Sequence, residues 1–194
     1  MSQPLRIILA EDEFLCLVGI RDNLIMLGHD VVSECSSGEE LYDLALNLKP
    51  DLIITDINMQ TMDGIEAIKR INGKIQIPAI IVSGYDDREL IERATDQGVF
   101  YYLIKPIDIK DLRVAISVTM AKYAEFLDLK HELFAAQENL ETRKLVERAK
   151  GLLMARKKLN EMDAMKRLQK ISKDSNMKMA SVAQSIIKSY ETSP

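Results

Sequence analysis

Glu11 and Asp12 follow the apolar run Ile7-Ile8-Leu9, and Asp56 closes the run Leu52-Ile53-Ile54-Thr55. Ser83 follows Ile80-Ile81-Val82, and Lys105-Pro106 follows Leu103-Ile104. Each polar residue stands at the C-terminal end of a strand-like stretch, where parallel α/β sheets build their sites. Glu11, Asp12 and Asp56 together would chelate a hard cation such as Mg2+, with the backbone carbonyl of Asn58 as a further oxygen. The cation would relieve the repulsion between a carboxylate nucleophile and an anionic phosphoryl donor. Lys105 would meet one phosphoryl oxygen and the Ser83 hydroxyl another, with Pro106 locking the loop, a cis bond being one way. Taken singly, an Asp at a strand end reads as a helix cap and Lys-Pro or Ser-Gly as a turn. Their joint occurrence on strands 1, 3, 4 and 5 reads as a site for a phosphorylated carboxylate.

The elements that must position these groups are legible in the hydrophobic pattern. Residues 6–10, 30–34, 51–56, 79–83 and 100–104 read as short buried strands. Between them, Leu17, Ile20, Leu24 and Leu27 mark a helix over 14–27, with Gly28 as its C-cap. Ser37-Gly38-Glu39-Glu40 opens a second helix that carries Leu41, Leu44, Ala45 and Leu48, and Asp63-Gly64 a third that carries Ile65, Ile68 and Ile71. A fourth is predicted over 87–97, stopped by Gly98, and Asp108 caps a fifth. Five βα units with near-continuous apolar strands predict a flavodoxin-like, doubly wound parallel sheet of order 2-1-3-4-5. Its crevice lies between strands 1 and 3, where Glu11-Asp12 and Asp56 stand.

The 194 residues are 47% hydrophobic and 29% charged, enough for a packed core plus a smaller second unit. Charge divides the chain: residues 1–120 hold 11 Lys+Arg against 20 Asp+Glu, and residues 121–194 hold 15 against 10. The expected division is 1–120, a helical linker over 121–145, and a basic module over 142–194. Cys16 and Cys35 have neither metal nor disulfide spacing, as expected in a reducing cytosol. No run approaches the roughly 18–20 apolar residues of a membrane span, and no signal-peptide pattern precedes the first strand. The expectation is a soluble, cytoplasmic protein with no membrane partner.

Helical pattern continues from 109 to 158 without proline. Phe126, Leu133 and Leu140 repeat every seven residues, whereas Lys130, Gln137 and Lys144 are polar, so a coiled coil competes with a plain connecting helix. Two shorter helices follow near 161–173 and 179–190. Residues 142–188 carry 13 Lys+Arg against four acids, which points to a polyanionic partner. At 100° per residue, Arg143, Lys150 and Lys157 fall within about 40° of one another, apart from a stripe of Leu145, Ala149, Leu152 and Leu159.

Residues 5–120 resemble the receiver domain of two-component response regulators, on Glu11-Asp12-Glu13, Asp56, Met59…Met62-Asp63-Gly64, Ser83, Tyr102 and Lys105-Pro106. The resemblance implies that Asp56 takes a phosphoryl group from a histidine kinase and that Glu11 and Asp12 hold Mg2+. It also implies that Ser83 and Tyr102 form the switch; by pattern alone, Tyr102 is one of three strand aromatics and reads as core. His29 and His131 lie away from the pocket, so the phosphodonor is external. Glu11 stands where aspartate is more usual, and Gln60 stands where the loop after the phosphoacceptor commonly has proline, which would loosen it.

Residues 142–190 resemble the ANTAR domain, on Arg148-Ala149-Lys150-Gly151-Leu152-Leu153-Met154, Asp163-Ala164, Leu168 and Val182-Ala183. That resemblance implies a three-helix module that binds RNA hairpins in nascent transcripts and prevents premature termination, joined to the receiver through a coiled-coil dimer; phosphorylation of Asp56 is expected to promote the homodimer. Arg148, Lys150, Arg156 and Lys157 become the expected RNA contacts, with Lys150 the foremost and Arg148 nearer the apolar stripe. Gly151 in mid-helix would permit close approach of RNA or another helix. Two other readings compete. A DNA-binding response regulator needs a basic last helix, and 179–190 carries only Lys188. An aspartate-nucleophile phosphatase needs a second carboxylate two residues on, where Asn58 stands; the chain is therefore not expected to be an enzyme.

Overall fold

Strands β3 (Leu52–Asp56) and β4 (Ala79–Ser83) are buried at every position, because helices cover both faces of the sheet. The computed structural model of the chain describes residues 3–84 and 98–191. The helix predicted over 87–97 lies outside them. Around β3 and β4 stand β1 (Arg6–Ala10), β2 (Asp30–Cys35) and β5 (Val99–Ile104), all parallel, in the order β2-β1-β3-β4-β5. The predicted flavodoxin-like order is therefore the observed one.

Alternation along the strands sorts the core into two layers. Ile7, Leu9, Leu52, Ile54, Ile80 and Val82 face α1 (Phe14–Met26) and the first turns of α4 (Ile109–Lys157), where Leu24, Leu112 and Ala115 are sealed from solvent. Ile8, Ala10, Ile53 and Ala79 face α2 (Gly38–Leu48) and α3 (Gly64–Asn72), against Leu41, Ala45, Ile68 and Ile71. Moving any strand by one residue would exchange the layers and shift the residues that stand at the strand ends.

Local chemistry sets the helix boundaries. Ser37 Oγ accepts from the Glu40 amide at 3.3 Å, and Asp63 Oδ1 accepts from the Glu66 amide at 2.7 Å. Gly28 takes φ +85° just past α1, a left-handed conformation that costs glycine little. Asp108 Oδ1 accepts from the amides of Lys110 and Asp111 at 2.7 and 2.9 Å, opening α4.

Two compact units divide between Phe126 and Leu127. In the second, Val146, Ala149 and Leu153 of α4 pack with Ala164 and Leu168 of α5 (Glu161–Ser175) and with Val182, Ala183 and Ile187 of α6 (Met179–Glu191). Asn160 caps α5 through its side-chain oxygen, 2.8 Å from the Asp163 amide, and Lys158, at φ +51°, ends α4. Residues 128–141 of α4 are exposed without interruption.

Candidate functional site

β1 and β3 are neighbours in register, Ala10 opposite Thr55, so the residues that follow each emerge side by side. Carboxylate oxygens of Glu11, Asp12 and Asp56 lie within 4.8 Å of one another. Glu11 and Asp56 are buried and Asp12 is exposed, leaving the cluster one open side. The peptide of Lys105 is held at the same edge by a 2.9 Å bond from its amide to the Ser83 carbonyl, and the Lys105-Pro106 bond is cis. Lys105 Nζ donates to Asp56 Oδ2 at 2.8 Å. It also forms an ion pair with Glu11 Oε2 at 2.7 Å.

The remaining oxygens are held by backbone. The Asn58 amide donates to Asp56 Oδ1 at 3.3 Å, and the Glu13 amide to Glu11 Oε1 at 3.2 Å. Thr55, fully buried and not singled out in the sequence, donates its hydroxyl to the Asp56 carbonyl at 2.9 Å. A buried threonine in an apolar strand is a signal that hydrophobic pattern passes over. The loop expected to be loosened by Gln60 is fastened: the Met62 amide donates to the Gln60 carbonyl at 2.8 Å and the Gly38 amide to the Met62 carbonyl at 3.2 Å. Gly64 permits this packing, because a Cβ there would collide with the Asp56 carbonyl.

Burial works against the charge on Lys105, but its bonds to Asp56 and Glu11 outweigh burial and hold its pKa above the usual lysine value. Burial pushes the Glu11 carboxyl upward; the Lys105 contact opposes this and the Asp56 charge adds to it, with a net rise. Burial likewise pushes the Cys35 thiol up to about 12, so it acts as a small hydrophobe. Three carboxylates facing one ammonium leave an excess of hard oxygen donors, which fits Mg2+.

Ser83 is fully buried at the end of β4, one residue past Val82, the register partner of Asp56. Tyr102 is half-buried and packs against Ile57, Ile65 and Ile81, a neighbour to the pocket and not part of its carboxylate cluster.

The basic unit departs from the sequence reading at Lys150. Lys150, placed there on an exposed basic face, is only 8% exposed, and its Nζ lies 2.8 Å from Glu161 and 2.9 Å from Glu147. The reason is periodic: the buried face of α4 runs Val146, Ala149, Leu153, and Lys150 is four past the first and three before the last. The Glu161 and Glu147 contacts raise its pKa, and the Lys150 bond lowers that of Glu161. Glu147 three residues earlier was legible as an i,i+3 partner; Glu161, on another helix, was not. Arg148, read as nearer the apolar stripe, is exposed, as are Arg156 and Lys157. Gly151 is exposed too, and a Cβ there would meet nothing within 4 Å, so close packing by another helix of this unit does not explain it.

Comparison with known proteins follows the same division. The response regulator receiver domain model matches residues 7–117 and the ANTAR domain model residues 135–187. The transcriptional regulatory protein PdtaR of Mycobacterium tuberculosis (strain ATCC 25618 / H37Rv) is 39% identical over 189 residues, covering 97% of this chain and 92% of that protein. Response regulator protein VraR of Staphylococcus saprophyticus is 32% identical over 118 residues, 60% of this chain and 56% of that protein. Among solved structures, the receiver domain of a modulated diguanylate cyclase from Desulfovibrio desulfuricans G20 superposes with a TM-score of 0.58 at 30% identity, over 62% of this chain and 96% of that one. No described helix is long and apolar enough to cross a membrane. With a receiver fold, an acidic pocket at its strand ends and an ANTAR domain as its RNA-binding output, the chain belongs to the response regulator family.

Proposed function

We propose that the chain is a phosphorylation-gated RNA-binding antiterminator, working in the cytoplasm on hairpins in nascent transcripts. The convergence of Asp56, Glu11, Asp12 and Lys105 at one sheet edge is the observation that carries the gating half of this reading. A histidine kinase supplies the phosphoryl group: an Asp56 carboxylate oxygen forms the new O–P bond, the N–P bond of phosphohistidine breaks, and imidazole leaves. Glu11, Asp12, Asp56 and the Asn58 carbonyl are the residues that would hold Mg2+, which supplies charge neutralisation between the two anions. Lys105 exchanges a carboxylate partner for a phosphoryl oxygen, while Ser83 and Tyr102 carry the change to the surface.

In this reading residues 1–120 are the phosphoacceptor unit, 121–145 the coiled-coil linker and 142–194 the RNA module. Support for the linker comes from its exposed apolar side chains. Phe126, Leu129, Leu133 and Leu140 are 39%, 59%, 60% and 53% exposed, and with Ala136 they follow an alternating three-four spacing. That phase, through Leu129 and Ala136, is more apolar than the one through Lys130 and Gln137. Arg148, Arg156 and Lys157 are the exposed cations proposed to meet RNA phosphates; Lys150 is not among them.

The test is beryllofluoride, a phosphoryl mimic, added with Mg2+ to the full chain. Dimer mass in sedimentation and affinity for hairpin RNA should both rise, and a shift of about 2 kcal/mol would be roughly thirtyfold in the association constant. Duplex DNA at matched salt should bind more weakly than hairpin RNA. If neither mass nor affinity moves, the gating reading is wrong.

A further inference from the structure

Between α4 and α5 runs an open groove of about 770 Å3, inside the second unit. Its apolar lining is Val146, Met162 and Met165, and Met162 is 63% exposed despite its thioether. Its amide and hydroxyl lining is Asn139, Thr142 and Gln169. Its acids, Glu147 and Glu161, share the one ammonium of Lys150, so with Arg143 and Lys166 the lining carries an excess of one positive charge. Arg143 and Lys166 form no ion pair among the described residues.

We infer that this groove takes one unpaired nucleobase from the loop of an RNA hairpin, with Arg143 and Lys166 on the flanking phosphates. The inference rests on the RNA-binding reading and names its base-reading subsite. The volume is within the range of small-molecule sites, roughly 300–1,000 Å3. A base has two apolar faces, which polarisable methionines cover well, and a polar edge, for which side-chain amides offer both donors and acceptors. The charge pattern favours a nucleotide over an apolar helix from a second copy. Such a helix would bury the Arg143 and Lys166 charges without partners, whereas phosphates compensate them. RNA-binding modules read sequence mainly from unstacked loop bases, because the deep major groove of A-form stems is closed to side chains. Lys150 acts here as a strut, tying the first turn of α5 to α4 and so setting the width of the groove.

The test uses the full chain, a synthetic hairpin pool with a constant stem and randomised loop, and a blunt duplex of the same stem. The hairpins retained by the unaltered protein are re-measured with Asn139→Ala/Gln169→Ala, two exposed positions whose loss leaves the core intact. Affinity for those hairpins should fall about five- to a hundredfold, the range for losing one base-edge contact, with duplex affinity unchanged. Arg143→Ala should weaken both RNAs and lower the salt slope by about one. A 4-thiouridine in the selected loop should crosslink to Met162 or Met165. Unchanged hairpin affinity in the amide variant overturns the inference. So does a change in its dimer mass without RNA, which would make the groove a protein interface. Should the unaltered chain retain neither hairpin nor duplex, the RNA reading itself falls, a result distinct from selective loss in the variant.

Discussion

Lys105 Nζ stands 2.8 Å from Asp56 Oδ2, so the lysine that would meet a phosphoryl group occupies its place while Asp56 is a carboxylate. The same ammonium holds Glu11 at 2.7 Å, and the two contacts offset repulsion between buried carboxylates. Removing it leaves those charges facing one another. Lys105→Met should cost roughly 2–3 kcal/mol, below the ~3–5 of a fully buried pair because 17% of the side chain reaches solvent. Added Mg2+ should restore more thermal stability to this variant than to the unaltered chain, since the cation offsets the same repulsion. Calorimetry with and without Mg2+ checks both statements; equal Mg2+ increments would contradict them. Because the Lys105 pKa is raised, its stabilising contribution is complete below the usual 10.5 and is lost as pH climbs through the folded value.

Glu11 has a linkage of the same direction, stability falling as pH rises, but here it comes from a cost of ionisation. Its pKa is raised from the usual 4.5, chiefly by burial, so ionising it costs folding stability. That cost is absent when the group is protonated in both states and complete once pH exceeds the folded value. Glu11→Gln should therefore match the parent Tm in acid below the ordinary carboxylate range and exceed it at neutral pH. Magnesium affinity should drop at least tenfold, as a unit charge at ~4 Å is worth about 4 kcal/mol at an effective dielectric of 20. A variant less stable than the parent at neutral pH would show that the Lys105 contact outweighs desolvation.

Leu133 lies within the exposed stretch of α4 and is itself 60% exposed. Leu133→Asp removes apolar area and adds a charge where the proposed partner helix would lie, without touching either unit's core. Beryllofluoride-treated protein should then sediment as a monomer with unchanged Tm at low concentration. A dimer of parental mass would place the interface elsewhere.

Gly151 interrupts α4 with no Cβ-sized obstruction around it. Gly151→Ala should raise the stability of the second unit by up to about 1 kcal/mol through helix propensity alone. If RNA affinity falls while stability rises, RNA approaches the backbone at that point. If both are unchanged, the helix is stabilised by packing and the glycine is incidental.

Much of the receiver half was determined by the chain's own pattern. Near-continuous apolar runs such as Ile7-Ile8-Leu9 and Leu52-Ile53-Ile54 specify buried parallel strands and therefore which residues stand at the strand ends; Glu11, Asp12, Asp56 and Lys105 converge because of it. Caps at Ser37, Asp63 and Asp108 are short-range effects and were readable in the same way. What the tertiary structure alone decided is which neighbours each charge acquired. Lys150 repeats in step with Arg143 and Lys157 along the chain, yet packing of α5 and α6 on Val146, Ala149 and Leu153 draws it into the buried face and onto Glu161. Thr55 and Glu161 gained their roles through contacts that no periodicity encodes. Helical and strand periods specify a face; only the docking of other elements determines whether that face is covered, and by what.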